Sequence, residues 1–201
     1  MSEYRYSSAG RGHHATYVLE PLLNLIGAEP LKVADLGCGN GSLSHAIATR
    51  GHEVTGLDSS VSAIDQARQA YPSCRFFRAS IDDLPSEIEP ASFDLVVSLE
   101  TIEHLIDPRA LLRATRRLLH PGGRLILSTP YHGYLKNLAL AATGKMDDHF
   151  TALWDGGHVK FFSVRTLTAL VQSEGFSEIE FRFAGRVPWL WKSMICSARL
   201  P

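Results

Sequence analysis

The segment Val33-Ala34-Asp35-Leu36-Gly37-Cys38-Gly39-Asn40-Gly41 places three glycines at alternate positions after an apolar run, with a carboxylate two residues ahead of the first. Glycines at such a turn accept positive φ and let a ligand approach the backbone closely. A dinucleotide fingerprint, G-x-G-x-x-G, needs glycine or alanine at its last position. Counting from Gly37 puts Ser42 there and counting from Gly39 puts Ser44 there, so a dinucleotide is disfavoured. No G-K-[ST] follows, which removes a Walker phosphate loop. A second acid, Asp58, comes 19 residues after Gly39 at the end of the next apolar run. A carboxylate at that place can accept from both hydroxyls of a ribose. The loop has acids beside it and no basic residue. That pattern suits a ligand with cationic centres and no phosphate, as S-adenosylmethionine has in its sulfonium and ammonium.

A second cluster follows the fourth apolar run. Glu100, Glu103 and His104 stand at i, i+3 and i+4, so a helical turn would set them on one face. His104 is a candidate general base, since imidazole titrates near neutral pH. The competing reading has Glu103 and His104 orienting the loop while Asp107 caps the next helix. Further candidates lie in the 129–160 segment: Tyr131, His132, Lys136, His149, Trp154, Asp155, His158 and Lys160. Of these, His149 and His158 join His104 and Glu103 as candidate catalytic groups. Aromatic walls with a few polar groups fit an acceptor pocket; a solvated insertion with incidental histidines is the alternative. Asp148-His149 and Asp155…His158 have no diagnostic metal spacing. His45, His52 and His120 read as structural, and His13 and His14 fall near a possible N-terminal lid.

Alternating apolar runs and helical patterns position these groups, the mark of a parallel sheet with helices on both faces. Helices are expected over 13–26, 41–50, 60–71, 108–119, 134–143 and 163–174. Strands are expected over 31–36, 53–57, 75–79, 93–99, 124–128, 178–184 and 190–199. His120-Pro-Gly-Gly reads as the turn into the fifth strand, and 144–158 as a polar stretch without regular structure, of the kind that forms lids and binding loops. Val187-Pro188-Trp189-Leu190-Trp191 reads as a core strand, with a patch for a greasy substrate, a membrane surface or a dimer partner as the alternative. One domain over 1–201 is expected, with a lid and helix over about 1–30 and an acceptor-side insertion over about 129–160.

The chain has 201 residues, 20 Lys+Arg and 21 Asp+Glu, for a formal charge of −1. With 45% hydrophobic residues it can bury a core. The absent basic excess argues against a nucleic-acid binder. Cys38, Cys74 and Cys196 form no CxxC pair, so neither a disulfide framework nor a thiolate zinc site is expected and a reducing cytoplasm is the default. The polar start and the lack of a long apolar run predict neither a secretory signal nor an integral membrane protein.

The motif 35–41 resembles the first motif of the class I S-adenosylmethionine-dependent methyltransferases. Glu100-Thr101-Ile102-Glu103-His104-Leu105-Ile106-Asp107-Pro108 resembles the E-x-x-E-H-x-x-D-P segment of the ubiquinone-biosynthesis O-methyltransferase-like branch, and Leu119-His120-Pro121-Gly122-Gly123 its L-x-P-G-G turn. The resemblance implies a doubly wound, Rossmann-like α/β fold of seven strands in the order 3-2-1-4-5-7-6, with strand 7 antiparallel. It implies that Asp35, Gly37, Cys38, Gly39 and Gly41 line the methionine part of the cofactor and that Asp58 holds the ribose, with Ser59 against the adenine. Ser80 and Ile81 would flank the adenine, although the family commonly has an acid where Ser80 stands. Leu99 would lie near the sulfonium, and Tyr4, Tyr6 and Arg11 would belong to a lid. It also allows a Mg²⁺ site at Glu100, Glu103 and His104. The expected function is methyl transfer from S-adenosylmethionine, leaving S-adenosylhomocysteine, to a small molecule, first of all a phenol or hydroxyl. C- or N-methylation and a non-catalytic accessory protein are the alternatives. A monomer or homodimer is expected.

Overall fold

The computed structural model describes residues 15–150 and 152–201. The proposed lid residues Tyr4, Tyr6 and Arg11, with His13 and His14, lie outside the described residues. The described elements are α1 (Ala15–Ile26), β1 (Lys32–Leu36), α2 (Ser42–Ala48), β2 (Glu53–Asp58), α3 (Val61–Ala70), β3 (Arg75–Arg78) and β4 (Phe93–Leu99). A 3-10 turn (Ile102–His104) is followed by α4 (Arg109–Leu118), β5 (Leu119–Pro130), α5 (Tyr134–Ala142), α6 (Met146–Phe150), α7 (Val164–Ser173), β6 (Ser177–Ala184) and β7 (Ser193–Arg199). The sheet runs β3-β2-β1-β4-β5-β7-β6, with β7 antiparallel to both its neighbours, as the family resemblance implies.

Alternation along each strand feeds two cores. Ala34, Leu36, Val96, Leu125 and Leu127 pack with Leu111 and Leu118 of α4 and Leu167 and Val171 of α7. Val33, Leu95, Val97 and Ile126 pack on the other face with Val18 and Leu22 of α1, Ile47 of α2 and Ile64 of α3. A central parallel strand covered on both faces must be apolar at successive positions, as Phe93–Leu99 nearly is. The connections use ordinary caps. Ser60 accepts from the Ala63 N–H, and Ser163 and Thr166 form a capping box on α7. Asp107 accepts from the Arg109 N–H at 3.0 Å at the start of α4.

Three expectations change. The fifth strand begins at Leu119 instead of residue 124, because His120-Pro-Gly-Gly bulges within it: Leu119 pairs with Phe93, and pairing resumes at Arg124 with Leu95. Residues 146–150 form a short helix where a structureless stretch was expected. The Val187–Trp191 stretch is not a core strand. Arg186 and Trp189 take φ of 62° and 69°, Pro188 cannot donate to a ladder, and β7 starts only at Ser193. Val187 and Trp189 are therefore exposed, while Trp191 stacks on Phe183 at 4.2 Å.

One tie fixes α1 against the sheet. Arg124 of β5 donates to the carbonyls of Leu25 and Ile26, both at 3.1 Å, satisfying orphan groups at the end of that helix. Arg124→Ala should cost about 1–3 kcal/mol in urea unfolding, since charge-assisted bonds to a helix end are lost together. Arg124→Lys should recover only part of it, because a single ammonium lacks the guanidinium fork.

Candidate functional site

β1 and β4 are neighbours and parallel, so the loops leaving their carboxyl ends open the crevice where doubly wound sheets bind ligands. The glycine loop folds back on β2: the N–H groups of Gly37 and Cys38 both donate to the Leu57 carbonyl, at 2.8 and 3.0 Å. Gly39 N–H donates to Asp58 Oδ2 at 2.9 Å, and Ser60 N–H to Oδ1 at 2.8 Å. With Ser59 N–H as a further backbone donor, the Asp58 carboxylate still keeps acceptor capacity for a ligand hydroxyl. Burial pushes this carboxyl up, against those backbone bonds. Gly41 has φ of 76°, and a Cβ there would stand 2.7 Å from Phe76 and 2.8 Å from Ala67, so only glycine fits.

Asp35 is 1% exposed. Its Oδ2 accepts from Ser44 Oγ at 2.6 Å and its Oδ1 has no partner. Burial first, and the Asp58 charge after it, push the carboxyl up to about 7, against the Ser44 bond. The Cys38 side chain turns into the core, and burial holds its thiol well above the ordinary range, so only its backbone faces the loop. A hollow of about 310 Å³ at the ends of β2 and β3 is lined by Ser59, Arg78, Ala79, Ser80 and Asp83. Ser80 Oγ accepts from the Asp82 N–H at 3.3 Å, and Ile81 packs against the core beside it. Leu99 is buried at the end of β4.

On the β4 side the expected single helical face does not form. Glu100 takes φ of 49° directly after the strand and its Oε1 accepts from Ser128 Oγ at 2.7 Å, which turns it toward β5. Glu103 and His104 lie in the 3-10 turn. Glu103 is fully buried with both carboxylate oxygens unpartnered among the described residues. Burial, with the Glu100 charge adding, holds its carboxyl well above the usual range. The Glu103 carbonyl accepts from the N–H groups of Val159 and Lys160, clamping the insertion onto this turn.

His104 Nδ1 lies 3.0 Å from the Gly156 carbonyl. A carbonyl only accepts, so Nδ1 carries the hydrogen and Nε2 keeps a free lone pair. His158 comes from the insertion, its ring 4.8 Å from that of His104. Burial first, then the nearby His104, hold His158 down at about 4, so it is a neutral donor at physiological pH. One ligand atom each from Glu103, His104 and His158 fall within 4.8 Å of one another, so this trio, and not one including Glu100, is the set the fold gathers for a cation.

His149 lies apart from that trio, with His132 at 5.4 Å between ring centroids and Phe150 at 5.0 Å. Burial lowers both imidazoles, His132 to about 4. Trp154 meets His104 edge-on at 5.9 Å, while Asp155 is exposed. The remaining described histidines have fold partners: His45 stacks on Tyr71, His52 accepts from the Leu31 N–H, and His120 meets Asp94. Sequence spacing missed Tyr17 and Ser193. The Tyr17 phenol, raised by burial, senses Glu100 and Glu103 from α1, with the Ser193 hydroxyl nearby. No motif marks either residue, since α1 and β7 meet only in the folded chain.

The sequence profile of a family described as "Methyltransferase domain" matches residues 11–180. A ubiquinone biosynthesis O-methyltransferase of Idiomarina loihiensis is 41% identical over 106 residues, which is 49% of this chain and 42% of that protein. The chain thus spans less than half the length of that relative. Among solved structures, an S-adenosylmethionine-dependent methyltransferase from Mesorhizobium loti is 25% identical at a TM-score of 0.69, covering 89% of this chain and 96% of that one. A magnesium protoporphyrin IX methyltransferase from Synechocystis, solved with bound S-adenosylhomocysteine, shares the fold at a TM-score of 0.64 and 24% identity, covering 92% and 80%. With a profile match over most of its length and a loop and sheet order to suit, the chain belongs to the methyltransferase domain family.

Proposed function

We propose that this protein transfers the methyl group of S-adenosylmethionine to a hydroxyl oxygen of a small molecule, a phenol first of all. One observation carries the reading: an acid-flanked, phosphate-unfriendly glycine loop whose Gly39 N–H holds Asp58 with lone pairs to spare. The named O-methyltransferase relative supports oxygen as the acceptor atom. When bound, the cofactor supplies an activated methyl on a sulfonium. Asp58 accepts from the ribose hydroxyls, the 310 Å³ hollow takes the adenine, and the loop from Gly37 to Gly41 carries the methionine part. Asp35 acts on the cationic end from beneath the loop. His104 Nε2 takes the acceptor proton, and the insertion clamped on Glu103 excludes water from the reacting atoms. His149, with His132, belongs to the wall of the acceptor pocket. Glu103, His104 and His158 also fit a divalent cation, which would supply polarisation of the acceptor oxygen. His104 has a single free lone pair and serves as base or as ligand, never both. Among the described residues no helix is long and apolar enough to cross a membrane. A cytoplasmic monomer or homodimer without nucleic acid is the accompanying proposal.

Titration with S-adenosylmethionine and assay against phenol and amine panels test the reading: binding with transfer to phenols is expected, and binding with transfer to nothing would leave an accessory binding protein. His104→Ala should lower turnover about 10²–10⁴-fold with cofactor affinity unchanged. Excess chelator should leave the wild-type rate intact if His104 is the base; loss of rate restored by Mg²⁺ would make it a ligand.

Asp35 gives a pH dependence. Its carboxyl stands at about 7 in the folded chain against about 3.9 unfolded, so the folded state binds the extra proton between those values. The stability contributed by this proton is full below pH ~4 and is lost as pH rises to 7. A cationic ligand favours the ionised form, so cofactor affinity should rise up to pH ~7 and level off above it. Asp35→Asn should flatten both profiles in calorimetric titration and urea unfolding.

A further inference from the structure

The Lys136 ammonium of α5 is 4% exposed, yet it makes one hydrogen bond, to the Tyr131 carbonyl at 2.7 Å. No carboxylate among the described residues lies within 4.0 Å of it, so it has no direct ion pair and its charge is offset only at a distance, by Glu100. A buried ammonium of this kind is costly unless an anion completes it. The groups facing it come from four elements. Glu100, after β4, draws its basicity up at a distance, while burial and Arg186, from the loop after β6, push it down to about 8. Its charge adds to burial in lowering His132, beyond β5, and His149 of α6. Lys136 therefore feels a second cation, Arg186, against a Glu100 carboxylate that is too far for an ion pair and already bonded by Ser128.

We infer that Lys136 is a catalytic residue that holds the acceptor's reacting oxygen as its oxyanion. The inference rests on the proposed transfer to a hydroxyl. The acceptor O–H bond breaks and its proton passes to His104 Nε2. The oxyanion, held by the Lys136 N–H groups, attacks the methyl carbon as the S–CH₃ bond breaks, and that electron pair returns to sulfur. Selectivity follows: an acidic hydroxyl, phenol or enol, is favoured over an alkyl alcohol, because the ammonium must share in an existing or nearly formed negative charge.

The test uses 4-nitrophenol, whose ionised form absorbs at longer wavelength, bound to the protein with S-adenosylhomocysteine and excess chelator. In wild type its ionisation midpoint should fall by at least one pH unit from the free value. Lys136→Met should return it to the free value while S-adenosylhomocysteine affinity and thermal unfolding stay near wild type, and Lys136→Arg should keep most of the shift. In the transfer assay, Lys136→Met should move the pH profile of kcat, which reports the bound complex, up by the same interval. An unshifted midpoint in wild type, or an equal shift in Lys136→Met, overturns the assignment. A shifted midpoint in a protein that transfers no methyl to any hydroxyl would instead sink the proposed function and leave Lys136 an oxyanion-binding group.

Discussion

Pairing of β1 with β4 in the middle of a parallel sheet is the constraint from which the site follows. The register Asp35 to Val97 brings the two strands to their carboxyl ends together, so the glycine loop and the Glu100 turn start side by side. Ser98 Oγ donates to the Leu36 carbonyl at 2.8 Å and locks that junction. Room there is so short that a side chain at Gly37 would collide with Thr101. Cofactor loop and acceptor-side turn are thus one packed unit, which is what an in-line displacement needs, since its two partners must meet at fixed distance and angle.

That junction concentrates carboxyl groups where water is scarce. Asp35, Asp58, Glu100 and Glu103 all stand above the ordinary carboxylate range, each chiefly through burial. They are compensated unequally. Asp58 has backbone donors at Gly39, Ser59 and Ser60, Asp35 and Glu100 have one serine each, and Glu103 has none among the described residues. Cationic or hydrogen-donating ligands are what such a set is short of. The opposite imbalance sits on α5, where the buried Lys136 ammonium is bonded to a carbonyl and makes no direct ion pair among the described residues. On the proposed reading, a site with negative character toward the methyl donor and an ammonium toward the acceptor would draw a sulfonium and an oxyanion to one place.

The insertion makes this possible. It is tied down by backbone at two points, Val159 and Lys160 on the Glu103 carbonyl and Gly156 on His104, while its α5 delivers Lys136. Its outward residues, such as Tyr134 at 80% and Leu153 at 99% exposure, contribute nothing to that hold. The Val159 and Lys160 ties are backbone to backbone and leave side chains free to vary, whereas the Gly156 tie needs the His104 ring.

Local chemistry was legible where a single element decides it. Whereas the order of the seven strands was legible only through the family resemblance, the glycine loop, Asp58 at the strand end and the Ser60 and Ser163 caps all follow from nearest-neighbour patterns of polarity and backbone preference. The bulge at His120-Pro-Gly-Gly and the exposed loop at Val187–Trp191 did not, because apolar content alone reads as strand, whereas positive φ at Arg186 and Trp189 and the position of Ser193 opposite Pro130 end the ladder. Which polar groups meet was decided only by tertiary structure. Glu100 and Glu103 share a spacing but part company, since strain at Glu100 sends it to Ser128 and leaves Glu103 to His104 and His158, 55 residues further on from it. Burial of Lys136, Tyr17 and Glu103 arises from elements distant in the chain, and it is burial, a property of no residue by itself, that turns ordinary side chains into reactive ones.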